Sequence, residues 1–288
     1  MTRALSATEL EAYRRDGFLV CRFPLFDAAA LASLDAIAQE YQRDVAAGRR
    51  PADLNVPHFG DPRLFDWLMA PAALDIVEPV LGPDIALWTS QFFLKAPREG
   101  RAIGWHADGR YWQGYLDPVE VASIWLALDA ADAGNGALRV VRGSHRRRDF
   151  RYVPRDGEDN PFFPVAVAAE EIDPADLVTI ELARGEFVLF DAWLVHGSEA
   201  NRSERARRGF TLRYMPTTSR FHPLGRSGAA GFAKRVLAPV VGRLRGRPVY
   251  EHRIYLARGA DRAGNRYGAR PPEASVSRTP SESPTLGA

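Results

Sequence analysis

Residues 187–198 read FVLFDAWLVHGS, an apolar run that ends in His196 and a Gly-Ser pair. A run of this kind is typical of a buried strand, and the Gly-Ser pair indicates a turn after it. We therefore expect His196 at the end of a strand, with its imidazole held at the mouth of a barrel.

Other short apolar runs lie on both sides of this stretch, and turn residues separate them. They are Leu87–Leu94, Val121–Leu128, Ala137–Val141, Leu177–Leu182 and Gly209–Met215. Several short strands at this spacing favour a sandwich or barrel over a βαβ sheet. The only long gap among them, residues 146–176, contains four prolines and no sustained period. A loop of this length inside a barrel is typically functional or mobile, so we expect a lid there.

The residues before these runs have a helical pattern. Ser6 and Glu9 have the spacing of a capping box, which predicts a helix that ends at Asp16-Gly17. Apolar spacing then predicts a strand over 18–23, a long helix over 27–47 and shorter helices near 63–69 and 72–81. The fold class is therefore mainly β with flanking α-helices.

We expect a single domain over residues 1–270. It comprises a helical part over about 6–82, a barrel core over about 85–216 and an extension over 217–270, with a helix near 229–242 and extended chain over 249–257. Residues 271–288 are rich in Pro and Ser without an apolar period, which predicts a disordered tail.

The composition excludes several classes of protein. Of 288 residues, 46% are apolar and 26% charged, with a net charge of +2, which is typical of a globular protein without a nucleic-acid or membrane partner. Cys21 is the single cysteine, so the chain has no internal disulfide and no site of several thiolates. The first residues lack the apolar core of a signal peptide, so we expect a cytoplasmic protein, either monomer or homodimer.

His106 and Asp108 form an H-x-D triplet that suits a divalent metal. In a strand, positions i and i+2 point to the same face, so the two side chains could converge on one point. Taken alone, the triplet is more typical of a polar turn than of a pair of metal ligands. With His196 it would make two histidines and one carboxylate, the ligand set of non-haem Fe(II) oxygenases.

Arg207 lies beyond the last of these residues, just before the run that begins at Gly209. A guanidinium can hold a carboxylate through two parallel hydrogen bonds. Four arginines occur within residues 202–208, a pattern more typical of a solvated turn, and only its spacing from His196 distinguishes Arg207.

Several motifs occur together in a fixed order. They are Asp16-Gly17-Phe18, His106-x-Asp108, Trp125–Asp129, Gly134–Leu138, Gly143-Ser144-His145, Val195–Ser203 and Arg207-Arg208. Together they resemble the phytanoyl-CoA dioxygenase family over about residues 9–216. This is a family of Fe(II)- and 2-oxoglutarate-dependent oxygenases on a double-stranded β-helix (a jelly-roll, cupin-like barrel), so the resemblance implies that fold and those cofactors, with O₂ as co-reactant.

The resemblance also implies roles for particular residues. The iron ligands that it implies are His106, Asp108 and His196. The residues that it places at 2-oxoglutarate are Arg207, Trp125, Gln91 and Ser198. No catalytic residue beyond the metal centre is implied.

The implied reaction oxidises an unactivated C–H bond of a small organic molecule and forms succinate and CO₂. Many bacterial relatives act in natural-product tailoring, so hydroxylation, desaturation, epoxidation and ring closure all remain open. Asp108 argues against a halogenase, which needs a free position at iron for chloride. The aromatic residues that we expect at the substrate are Tyr111, Trp112, Phe92, Phe162 and Phe163.

The same three metal ligands would also suit a protein of another class. A cupin-like metal-dependent isomerase or ligand-binding protein would use the metal without 2-oxoglutarate. Arg207 and Trp125 discriminate between the two, because such a protein has no need of a carboxylate clamp. A catalytically inactive binding module is disfavoured because all three ligands are present.

Overall fold

A computed structural model describes residues 3–50, 54–98, 101–154, 165–223 and 252–270. The helix predicted over 229–242, the tail predicted over 271–288, and Phe162 and Phe163 lie outside these ranges. Within them, no helix is long and apolar enough to cross a membrane.

Local sequence signals account for the ends of the first helices. Ser6 Oγ accepts the backbone N–H of Glu9, and the Glu9 carboxylate accepts the N–H of Ser6, which confirms the predicted capping box. Gly17 ends this helix with a φ of 84°, a left-handed conformation that other residues rarely adopt. The α-helices of the described residues are α1 (Ala7–Asp16), α2 (Ala28–Ala46), α3 (Phe65–Leu68), α4 (Pro71–Leu81) and α5 (Asp108–Trp112).

The predicted apolar runs are strands, and several shorter strands lie between them. In chain order the described strands are β1 (Phe18–Cys21), β2 (Leu54–Asn55), β3 (Ile85–Lys95), β4 (Ile103–His106), β5 (Leu116–Asp117), β6 (Ala122–Ala127), β7 (Leu138–Val141), β8 (Tyr152–Pro154), β9 (Val165–Val167), β10 (Leu177–Ile180), β11 (Phe187–Asp191), β12 (His196–Ser198), β13 (Arg207–Pro216), β14 (Arg220–Phe221) and β15 (Tyr255–Arg258).

Two antiparallel sheets form the centre of the molecule. The larger has the strand order β1-β11-β6-β13-β3-β15, with β2 paired to β3, and the smaller has the order β10-β7-β12-β4. Between β3 and β13 the chain passes repeatedly from one sheet to the other, as in a jelly roll. The predicted fold class, a double-stranded β-helix with flanking helices, is confirmed.

The outer face of the larger sheet packs on the helices. Leu126 of β6 and Leu212 of β13 belong to one buried apolar cluster with Leu34 of α2 and Ile76 of α4. Burial of these side chains stabilises the sheet from outside and leaves its inner face to line a cavity. Cys21 is buried, and burial raises the pKa of its thiol to about 12.

Two details of the predicted chain path are wrong. His196 does not end the strand that begins at Phe187, because that strand stops at Asp191 and His196 begins β12 in the other sheet. The gap 146–176 also contains the antiparallel pair β8 and β9, where a loop without regular structure was expected. Before His196, apolar residues continue through the turn and hide the break, whereas β8 and β9 are three residues each and too short to show a period.

Candidate metal and co-substrate site

A cavity lies between the two sheets. Strands of both sheets contribute to it, because alternate side chains along each strand point inwards. The polar residues that line it are His106, His196, Ser198, Arg207, Thr211 and Arg213. The large apolar residues are Phe93, Ile103, Trp125, Leu138 and Phe190.

His106, Asp108 and His196 converge at the mouth of this cavity. One potential ligand atom from each lies within 4.8 Å of the others, and all three residues are buried. Pairing of β12 with β4 places His196 directly opposite His106, with ring centroids 4.3 Å apart. His106 ends β4, whereas Asp108 begins α5, so the strand-to-helix turn and not strand alternation brings the carboxylate round. The predicted convergence is therefore present, although the expected reason for it is wrong.

Both imidazoles are oriented by main-chain carbonyls two residues earlier. Nδ1 of His106 donates to Gly104 O at 2.8 Å, and Nδ1 of His196 donates to Leu194 O at 2.9 Å. Since a carbonyl oxygen only accepts, each Nδ1 carries the proton and each Nε2 keeps its lone pair. A hydrogen bond at the far nitrogen is the usual way in which proteins orient a metal-binding histidine.

The electrostatics of the site favour a neutral imidazole at His196 and a charged carboxylate at Asp108. Burial and the neighbouring His106 lower the pKa of His196 to about 4. Burial alone would raise the pKa of Asp108, but the Arg213 guanidinium and the two histidines hold it well below its usual range. At neutral pH His196 and Asp108 are thus in the protonation states that bind a divalent metal.

Arg213 is a residue of the site that the sequence did not indicate. Its Nε and Nη2 both lie 3.1 Å from Asp108 Oδ2, and its Nη1 donates to Gln91 Oε1 at 3.4 Å. Arg213 lies within an apolar run of β13, where nothing in the local pattern relates it to a carboxylate far back in the chain. Only the pairing of strands could have located it.

Arg207 lies inside the barrel on the same strand as Arg213. It is 2% exposed, and its Nε has no hydrogen-bond partner among the residues that the structure describes. Burial lowers the pKa of its guanidinium to about 10, so Arg207 is charged at neutral pH. A buried cation without a carboxylate partner is costly in the free protein and is suited to bind an anion.

Trp125 lies beside Arg207, with its ring centroid 5.3 Å from the guanidinium carbon. Gly209 provides the room, because a Cβ at that position would lie 2.3 Å from one ring carbon of Trp125. Ser198 also lines the cavity, and Gln91 contacts Arg213. All four residues expected at 2-oxoglutarate therefore lie on or beside this cavity.

Lys95 is a second buried basic residue at the Arg207 end of the barrel, directly opposite Arg207 in the pairing of β3 with β13. Its Nζ donates to the Glu199 carbonyl. Burial, and then the nearby Arg207 charge, lower the pKa of Lys95 to about 6. No motif in the sequence marks Lys95 as a residue of the site.

The predicted substrate residues have mixed outcomes. Tyr111 lies near His106, with ring centroids 6.3 Å apart, and Trp112 lies 5.6 Å from the Arg213 guanidinium. The prediction that Phe92 lies at the substrate is wrong, because its side chain points away from the cavity and packs against Tyr41 in the core beneath the helices. Its neighbour Phe93 faces the cavity instead. Phe162 and Phe163 lie outside the described residues, so their role stays a prediction.

The residues present fit an Fe(II) ion with 2-oxoglutarate. Two imidazole nitrogens and one carboxylate on one side of a point leave the other positions open for a chelating ligand and O₂. In the same cavity the Nε of Arg207 has no partner in the described part of the chain, as a binding site for a second carboxylate requires.

Comparison with known proteins agrees with this geometry. The family model described as phytanoyl-CoA dioxygenase (PhyH) matches residues 3–209, which include the triad and Arg207. The chain belongs to the phytanoyl-CoA dioxygenase family. The predictions of family, fold and cofactor class from the motifs are confirmed.

Individual relatives are distant. A phytanoyl-CoA dioxygenase domain-containing protein 1 homolog of Caenorhabditis briggsae is 28% identical over 131 residues, 44% of this chain and 45% of the relative. An ectoine dioxygenase of Bordetella parapertussis is 26% identical over 247 residues, 76% of this chain and 78% of the relative. The chain thus spans about half the length of the nematode relative.

A solved structure extends the likeness to nearly the whole chain. The non-heme monooxygenase ThoJ, without ligand, superposes with a TM-score of 0.68 at 25% identity, over 91% of this chain and 88% of ThoJ. ThoJ has also been solved as a nickel complex, with a TM-score of 0.62.

Proposed function

We propose that this protein is an Fe(II)- and 2-oxoglutarate-dependent dioxygenase that oxidises an unactivated C–H bond of a small organic molecule. The observation that carries the proposal is the pairing, in one cavity, of a His-Asp-His set with a buried arginine whose Nε has no partner in the described part of the chain. Family membership supports the same reaction class.

Each chemical task of this reaction has a candidate residue in this chain. His106 and His196 would hold iron through Nε2, and Asp108 through Oδ1, which faces His106 Nε2 at 3.6 Å. Arg207 would hold the distal carboxylate of 2-oxoglutarate, with Trp125 and Ser198 beside it. When bound, iron and 2-oxoglutarate reduce O₂, with formation of succinate and CO₂ and oxidation of the substrate.

The walls of the site support an organic substrate with apolar surface. Four apolar side chains line the cavity, those of Phe93, Ile103, Leu138 and Phe190. Apolar walls exclude water, and the exclusion of water protects a reactive oxidant from side reactions. The Bordetella relative is named for a small organic molecule, ectoine. We propose a small-molecule substrate of secondary metabolism, with Tyr111 and Trp112 near the mouth of the cavity.

The direct test combines a spectrum with a turnover assay. Anaerobic addition of Fe(II) and 2-oxoglutarate should produce a weak visible charge-transfer band. In air, a panel of small molecules is then scored for succinate and for oxidised product. Asp108→Ala should remove both the band and turnover, because one charged ligand is lost.

The matched control is His145→Gln. Nε2 of His145 donates to the Arg14 carbonyl, His145 is not among the described residues that line the cavity, and an amide can replace that bond. Circular dichroism should show both variants folded. Full activity of Asp108→Ala would contradict the assignment of the metal site. If the affinity for the metal does not change when 2-oxoglutarate is added, a cupin-like isomerase or binding protein would be favoured instead.

A further inference from the structure

The two oxygens of the Asp108 carboxylate have different surroundings. Oδ2 accepts the Nε of Arg213 at 3.1 Å and lies 3.1 Å from its Nη2, whereas Oδ1 faces Nε2 of His106. Arg213 thus uses one oxygen of the candidate metal ligand and leaves the other directed at the point where the three ligand atoms converge.

Arg213 is held firmly in this position. Its side chain is 5% exposed, and β13 is paired with β3 on one side and β6 on the other. Its guanidinium carbon lies 5.9 Å from the ring of Phe93 and 5.6 Å from that of Trp112, and Nη1 reaches Gln91. Moving this charge away from Asp108 would leave two buried groups without their partners.

The pairing has a consequence for the charge of the cavity. The described side chains that line it or bond to it include two guanidiniums, Arg207 and Arg213, and one carboxylate, Asp108. The sum of these three charges is positive before any metal binds. A divalent cation adds like charge in a buried place, and a 2-oxoglutarate dianion offsets that charge.

We propose that Arg213 is a positioning residue for the metal centre, one that orients Asp108 and, by neutralising it, makes tight metal binding depend on 2-oxoglutarate. The inference rests on the proposed function. The two ligands then bind cooperatively, and the protein without co-substrate holds its metal weakly. The relevant quantity is the coupling ratio, the metal dissociation constant without 2-oxoglutarate divided by the constant with it.

The test measures that ratio with Co(II), which does not turn over, by titration calorimetry of the full chain. Arg213→Gln retains a hydrogen-bond donor but removes the charge, so the ratio should fall by about tenfold. Arg213→Lys retains the charge, so the ratio should stay within about threefold of the wild type. Any general disturbance of Asp108 affects both constants and cancels in the ratio.

Each result has a definite meaning. An unchanged ratio in Arg213→Gln, or an equal fall in Arg213→Lys, overturns the role of Arg213. If the wild type forms succinate while Arg213→Gln keeps its ratio, this inference fails and the proposed function stands. If Asp108→Ala binds Co(II) as tightly as the wild type does, both the inference and the proposed function fail. Both also fail if Co(II) binding to the wild type does not respond to 2-oxoglutarate.

Discussion

The two faces of β13 carry arginines in opposite states. On the helix side, Arg208 donates from Nε to Asp129 at 2.8 Å and reaches Asp35 from Nη1, also at 2.8 Å. On the cavity side, one residue away, Arg207 is more deeply buried and forms no ion pair among the described residues. A satisfied buried charge stabilises the fold, whereas an unsatisfied one reduces stability and provides a binding site.

Arg213 shows that burial alone does not distinguish the two cases. It faces the same cavity as Arg207, yet Asp108 satisfies it. The state of each arginine follows from which carboxylates the neighbouring elements present, and this difference can be tested residue by residue.

The largest effect is expected on co-substrate binding. Arg207→Met should raise the KM for 2-oxoglutarate by about 10- to 100-fold, because a charge-assisted pair is lost. Arg208→Met, the matched control on the other face, should change this KM little. Steady-state succinate formation measures both, and greater sensitivity of Arg208 would reverse the assignment of the two faces.

Stability should show the opposite order. Arg208→Met removes the guanidinium that pairs with Asp129 and one of the two arginines at Asp35, so the free energy of unfolding should fall by about 1–3 kcal/mol. Arg207→Met removes an unpaired buried charge and should not lower it. Urea unfolding without 2-oxoglutarate makes the comparison, and an equal loss in both variants would contradict it.

Lys95 extends the comparison to pH. Its pKa is lowered from 10.5 to about 6, so below pH 6 both states hold the proton and burial reduces stability in full. Between about pH 6 and 10.5 only the unfolded chain keeps the proton, so wild-type stability rises with pH.

The corresponding variant is Lys95→Met, measured without 2-oxoglutarate. Relative to the wild type, this variant should gain most stability at pH 6 and below. The gain should shrink by up to about 1.4 kcal/mol per pH unit above pH 6. Thermal unfolding at pH 6 and at pH 9 checks the sign. A gain that grows with pH would show that Lys95 is charged and paired in the folded state.

The smallest effect is expected at the surface. Arg98 pairs with Glu204, and both side chains are about two-thirds exposed. Such pairs contribute little because water screens them and both side chains lose freedom. Glu204→Gln should leave the melting temperature unchanged, and a marked fall would mean that exposed arginine pairs stabilise this fold as the Arg208 pair does.

Much of the fold could be predicted because its signals are local. The capping box at Ser6 and Glu9 needs only neighbouring residues, and the strand over Phe187–Asp191 is a continuous apolar run. The break before His196 was missed because Trp193, Leu194 and Val195 continue the apolar pattern through a turn. Periodicity cannot distinguish an apolar turn from an apolar strand.

Register explains the remaining errors at the site. Residues 92 and 93 are both phenylalanine and adjacent in sequence, yet Phe92 packs against Tyr41 and Phe93 faces the cavity. A shift of one residue exchanges the two faces of a strand, and only the pairing of β3 with β13 decides between them.

The sequence by itself determined the family and the fold class, and it predicted the three residues of the candidate metal triad, because these depend on residue types in a characteristic order. Only the tertiary structure decided that Asp108 is paired with Arg213 and that Lys95 is buried beside Arg207. It also decided that Arg208 has a carboxylate partner, whereas Arg207 has none among the described residues. The physical reason is that the charge state and availability of a buried group depend on its neighbours in space. In this barrel those neighbours come from strands far apart in the chain.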